Sequence, residues 1–135
     1  MGTWDVGPFD NDTAADFAGR LDDLPEQERP AAIRAVLTAV LAEQDYLDSD
    51  YAVEAVAAAA LIAAQCPGGR PVDSAYGPDK PVPELPADLR PLAVQAIDRI
   101  LGEDSELQQL WDDGGVNRAW HDEMDGLRAV LAKAS

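Results

Sequence analysis

The sequence is short of cysteine, histidine, aromatics and positive charge, and each shortage excludes something. Cys66 is the single cysteine, so no internal disulfide is available and a reducing cytoplasm is the expected compartment. His121 is the single histidine, and no zinc-type pair of histidines or cysteines completes a metal set around it. Aromatics make up only 6% of the chain, which favours an alanine-rich core of closely approaching helices over a thick sandwich of large side chains. Ten basic residues stand against 26 acidic ones, a net charge of −16. Nucleic-acid phosphates would find nothing to replace their counterions, and an anionic membrane surface is disfavoured for the same reason. A basic protein partner, by contrast, is attracted and steered. The plainest reading of the charge is solubility.

Other patterns are absent too. The longest apolar run lies between Glu54 and Gln65, shorter than the roughly 18 residues a membrane span needs. No basic stretch followed by an apolar run opens the chain, so no signal peptide is expected. No alternating segment is long enough for a sheet. There is no G-x-S-x-G elbow, P-loop or dinucleotide fingerprint, so no catalytic residue and no cofactor is expected. Paired carboxylates carry little information in so acidic a chain.

What is present is helical. A chain of 135 residues fits one domain (1–135) and buries roughly two-thirds of its unfolded surface. Residues 1–10 are non-helical, with Gly7-Pro8 as a turn. Asn11, Asp12 or Thr13 caps a first helix, with Thr13 and Asp16 at capping-box spacing; Ala14, Phe17, Leu21 and Leu24 line it up to Pro25. Pro30 opens a second helix with a stripe of Ile33, Val36, Leu37, Val40 and Leu41. A turn over 45–50 follows, with Ser49 or Asp50 as the next cap. The third helix, Tyr51 to Gln65, is apolar nearly all round from Ala55 to Ala64, the mark of a helix in the middle of a bundle.

A Pro/Gly-rich loop over 67–87 then excludes regular structure and is expected to lie across the bundle in extended form. Asp88 caps a fourth helix ending near Gly102, Ser105–Trp111 forms a short fifth, and Asn117 caps a sixth with Trp120, Met124, Leu127, Val130 and Leu131 inward. The fold class expected is therefore all-α: a compact bundle of about five to six helices.

Candidate sites are few. Asp10, Asn11 and Asp12 tempt a calcium reading, but the stretch lacks alternating ligands and a turn glycine, and capping explains it better. His121 and Asp125 lie one turn apart, and a solvated helix face is the expected role. Cys66 sits at the C-terminal end of its helix, the wrong end of the dipole for a reactive thiolate, and reads as a small buried side chain. Arg70, Tyr76 and Lys80 make a loop constellation in which Tyr76 either pins the loop or anchors a partner. Asp10 and Asp12 join Arg70, Tyr76 and Lys80 as candidate partner contacts, and Trp4, Phe9, Asn11, Thr13, Asp16, Trp111 and Trp120 are the expected structural anchors, with Trp4 and Phe9 plugging the end of the bundle.

Gly2-Thr3-Trp4, Gly7-Pro8-Phe9, Asn11-Asp12, Ala14 and Asp16-Phe17, together with Ala96-Ile97-Asp98-Arg99-Ile100-Leu101, Ser105-Glu106-Leu107 and Leu110-Trp111, resemble the two recurrent blocks of domain of unknown function 4259, a family found in bacteria and common in actinomycetes. Val6 is a minor departure. The resemblance implies a small, mostly helical cytoplasmic protein with no assigned activity and no catalytic residues to transfer.

The function expected is a non-enzymatic, acidic protein-interaction module, in its sharper form an immunity- or antitoxin-like inhibitor that covers a basic active site. One alternative is an enzyme using Asp10, Asp12 or Asp16 with Tyr76 in a pocket between the N-terminal segment and the loop. Another is a DNA mimic.

Overall fold

The computed structural model describes residues 8, 11–70, 72, 77–78 and 82–134. They form six α-helices and one 3-10 turn: α1 (Asp12–Asp23), the turn Glu26–Glu28, α2 (Arg29–Ala42), α3 (Ser49–Ala63), α4 (Leu89–Leu101), α5 (Glu106–Trp111) and α6 (Arg118–Ala134). An isolated parallel bridge joins Leu47 to Ser105. The all-α bundle expected from the sequence is the observed architecture. None of the helices is long and apolar enough to cross a membrane.

α3 is the centre. Every residue from Ala55 to Ala63 is buried, and the helix touches α1, α2, α4, α5 and α6. A run of alanines makes this possible, because small side chains let neighbouring helix axes approach towards the short end of the usual ~8–10 Å. α2 and α4 pack on α3 and on each other, and α6 lies against both α4 and α3. Their buried stripes supply the larger groups: Ile33, Leu37 and Val40 from α2, Leu89, Ile97 and Ile100 from α4, Met124 and Leu131 from α6. Phe17 and Leu21 add the inner face of α1.

The caps differ in detail from the sequence reading. Asn11 is extended (φ −158°, ψ 160°), and its Oδ1 accepts the Ala14 N–H at 2.7 Å. That places Thr13 inside α1, with its hydroxyl 3.5 Å from the Asp50 carboxylate, so the Thr13–Asp16 capping box does not form. α3 is capped by Asp48, one residue earlier than expected, through the Asp50 N–H at 2.9 Å. Asp88 precedes α4 in helical geometry (φ −68°, ψ −12°), which turns its side chain away from the orphan N–H groups. It instead meets Arg34 in a two-pronged ion pair at 2.8 and 3.0 Å.

After α3 the described backbone up to Asp88 carries no helix. The first part doubles back so tightly that a Cβ on Gly69 would stand 1.7 Å from the Ala63 carbonyl oxygen. The last part is clipped to the bundle by Gln65: its Nε2 donates to the Pro83 carbonyl at 2.8 Å, and its Oε1 accepts the Leu85 N–H at 2.9 Å. Leu85 is buried, and Val72 and Val82 pack on the core.

Candidate functional site

The chemistry-bearing groups gather around α5, a six-residue helix too short to hold itself in place. Its entry is fastened to the connection between α2 and α3. The Leu47 N–H donates to the Asp104 carbonyl at 2.7 Å, and the Glu106 N–H returns to the Leu47 carbonyl at 2.9 Å. Asp104 adopts a left-handed backbone (φ 56°) to make this turn, a conformation aspartate tolerates better than most residues. Behind the turn, Arg99 spreads its guanidinium over four carbonyls, those of Glu43, Asp45, Glu103 and Asp104. Glu106 then reaches across to accept the Ser49 N–H at 2.8 Å, satisfying one of the orphan donors at the start of α3. That bond to an oriented N–H holds the Glu106 carboxyl below its usual pKa, against the partial loss of water around it.

Two side chains stand out from this corner. Tyr46 is 48% exposed, and its hydroxyl donates to Gln109 Oε1 at 2.7 Å, which ties the phenol to α5. Leu110, next to Gln109, is 44% exposed. Loss of water around the phenol, then the fields of Glu106, Asp48 and Asp104, push the Tyr46 pKa up.

The far end of α5 holds a second cluster. The Asp112 carboxylate accepts the Asn117 N–H at 2.9 Å and meets His121 Nε2 at 2.9 Å, while Asn117 Oδ1 accepts the Trp120 N–H at 3.0 Å. The oriented Asn117 N–H lowers the Asp112 pKa; desolvation opposes it and the His121 contact adds to it. Trp111 and Trp120 stack with centroids 6.3 Å apart, and the His121 ring meets Trp120 edge-on at 5.0 Å. His121 is thus part of a packed α5–α6 corner, paired with Asp112 across the turn, which corrects the solvated helix face expected for it. Among the described residues its side-chain hydrogen bonds and ring contacts are to Asp112 and Trp120. Cys66 lies elsewhere, buried, with its thiol directed at the Ile62 carbonyl. Among the described residues no group of three or more His, Cys, Asp or Glu side chains is arranged to hold a metal ion.

The other sequence-selected residues scatter. Arg70 pairs with Glu123 of α6 at 2.6 Å. Asp12 and Asp16 are exposed on α1, which brings neither of them to the α5 corner. Trp4, Phe9, Asp10, Tyr76 and Lys80 lie outside the described residues.

The arginines follow a common rule. Among the described residues, contacts engage seven of the eight arginines. Arg20, Arg34, Arg70 and Arg128 pair with Glu54, Asp88, Glu123 and Asp98. Arg29, Arg90 and Arg99 instead reach carbonyls where helices end: Leu21 in the last turn of α1 and Leu24 just after it, Ala134 of α6, and Glu43 and Glu103 after α2 and α4. Cations there complement the negative end of the helix dipole.

The family model described as Domain of unknown function (DUF4259) matches residues 2–123 of this chain. The chain belongs to that family. No curated protein and no solved structure matches it. For this DUF4259 member the α5 corner is therefore read from its own chemistry. Sequence reasoning missed the corner because its parts lie about sixty positions apart in the chain and are joined by tertiary contacts alone. The one local signal was Asp45-Tyr46-Leu47-Asp48, an aromatic set among acids between two helices.

Proposed function

We propose that the protein is a non-enzymatic interaction module of the cytoplasm: an acidic helical bundle that binds a basic protein partner. In its sharper form it is an immunity- or antitoxin-like inhibitor that covers a basic active site. The observation that supports this reading is the direction of its charges. Four arginines already neutralise carboxylates by contact and three more are directed at carbonyls near helix ends, and with every cation counted the chain still carries a net charge of −16. Such a surface speeds encounter with a cationic partner and repels anionic competitors.

Affinity capture from the native host at low ionic strength, with partners identified by mass spectrometry, tests the reading. The expected result is one basic protein recovered in each repeat and released by salt. Recovery of no reproducible partner contradicts it.

A further inference from the structure

Resting on that reading, we propose that the corner formed by the α2–α3 connection and the start of α5 is where the partner docks. A cationic segment lies there with a guanidinium or ammonium against the Tyr46 ring, Asp48, Asp104 and Glu106 as counter-charge, and Leu110 under the neighbouring aliphatic stem.

Three features converge on this occupant. The first is an exposed aromatic that is already ordered. Tyr46 is held by Gln109, so its ring loses little freedom on binding, and tyrosine is among the residue types that dominate binding energy. The second is charge. Segments 43–48 and 103–106 carry six carboxylates, Glu43, Asp45, Asp48, Glu103, Asp104 and Glu106, and Arg99 is a cation that contacts both segments. Arg99 is directed at backbone carbonyls, so it neutralises none of the six by contact. The third is the combination of surfaces. A tyrosine face attracts a cation through its quadrupole, and the carboxylates add to that attraction, whereas an apolar or anionic segment gains from only one of the two or from neither. Arginine and lysine stems bury along apolar surface with their heads kept polar, and the exposed Leu110, one residue after Gln109, offers such a surface on the same short helix.

The corner also tolerates the substitutions that test it. Asparagine caps helices as well as aspartate does, so Asp48→Asn keeps the start of α3. Asparagine also accepts left-handed backbone, so Asp104→Asn keeps the turn. The double variant D48N/D104N removes two charges at the corner; E26Q/E28Q removes two from the exposed 3-10 turn between α1 and α2. The probe is an acetylated octa-arginine peptide at low salt, titrated into the isotope-labelled protein by NMR and measured by calorimetry. Expected are the largest amide shifts at Tyr46, Leu47, Glu106, Gln109 and Leu110. D48N/D104N and Tyr46→Ala should each weaken binding by about tenfold. E26Q/E28Q should weaken it less than about threefold, and Tyr46→Phe, which keeps the ring, less than Tyr46→Ala. Equal weakening by the two charge pairs, or shifts spread evenly over the surface, overturns the corner and leaves the interaction reading standing. No binding of the peptide at low salt overturns both.

Discussion

Replacing Arg29 tests whether the arginines hold this fold together from inside. Arg29 opens α2 and is only 7% exposed. Its Nε donates to the carbonyls of Leu21 at 3.0 Å and Leu24 at 3.2 Å, and its Nη2 donates to Leu24 at 3.1 Å. Hydrogen bonds from a charged donor contribute ~1.5–3 kcal/mol in total at such a site, and a cation at a helix C-terminus adds ~0.3–1 kcal/mol. Arg29→Ala is therefore expected to cost about 2–4 kcal/mol. With an unfolding entropy of about 2.1 cal/mol/K per residue, that lowers Tm by roughly 7–14 °C for a chain of this size. Arg29→Lys keeps the charge but loses the planar fork, and should fall about midway. Arg29→Met keeps most of the stem and should behave like Arg29→Ala. Thermal unfolding followed by far-UV circular dichroism gives the comparison. An unchanged or raised Tm for Arg29→Met would refute the reasoning, because the buried guanidinium would then be no better than an apolar side chain.

Gly69→Ala should destabilise the fold by ~2–4 kcal/mol in urea titrations, since the new Cβ meets backbone at Ala63 that has no side-chain freedom to yield. Trp120→Ala should cost ~3–5 kcal/mol and remove the near-UV circular dichroism of the Trp111–Trp120 stack. Asp112 has a folded pKa below its unfolded value, so its charge stabilises above the unfolded value and that contribution is lost as pH falls through the folded one. The urea midpoint of Asp112→Asn should thus trail the parent at neutral pH and converge with it below about pH 4. A gap that persists unchanged into acid would contradict the ionic role given to Asp112.

The helices were legible where a local pattern decides them. α3 announced itself through Ala55–Ala63, a run with no polar face, and α4 and α6 through stripes at helical spacing. The caps were less legible because several short polar side chains compete at each start. Asn11 prevails over Thr13, and Asp48 over Ser49, through an extended backbone that turns the side chain back onto the helix N–H groups. Arg29 gave no signal, since a charged residue beside Pro30 reads as surface until the end of α1 folds against it. The α5 corner was illegible for a related reason. A bridge from Leu47 to Ser105 and a bond from Tyr46 to Gln109 are tertiary contacts, and neither segment's pattern names the other.

The central claim is that an acidic bundle recognises a basic protein through the Tyr46 corner. Its most direct test is the Kd of the captured partner, measured at low and at physiological salt for the parent chain and for D48N/D104N. The account predicts weakening of the parent complex as salt rises, a weaker complex for D48N/D104N at low salt, and a smaller salt dependence for that variant. A Kd that ignores both the salt and the substitution would contradict it.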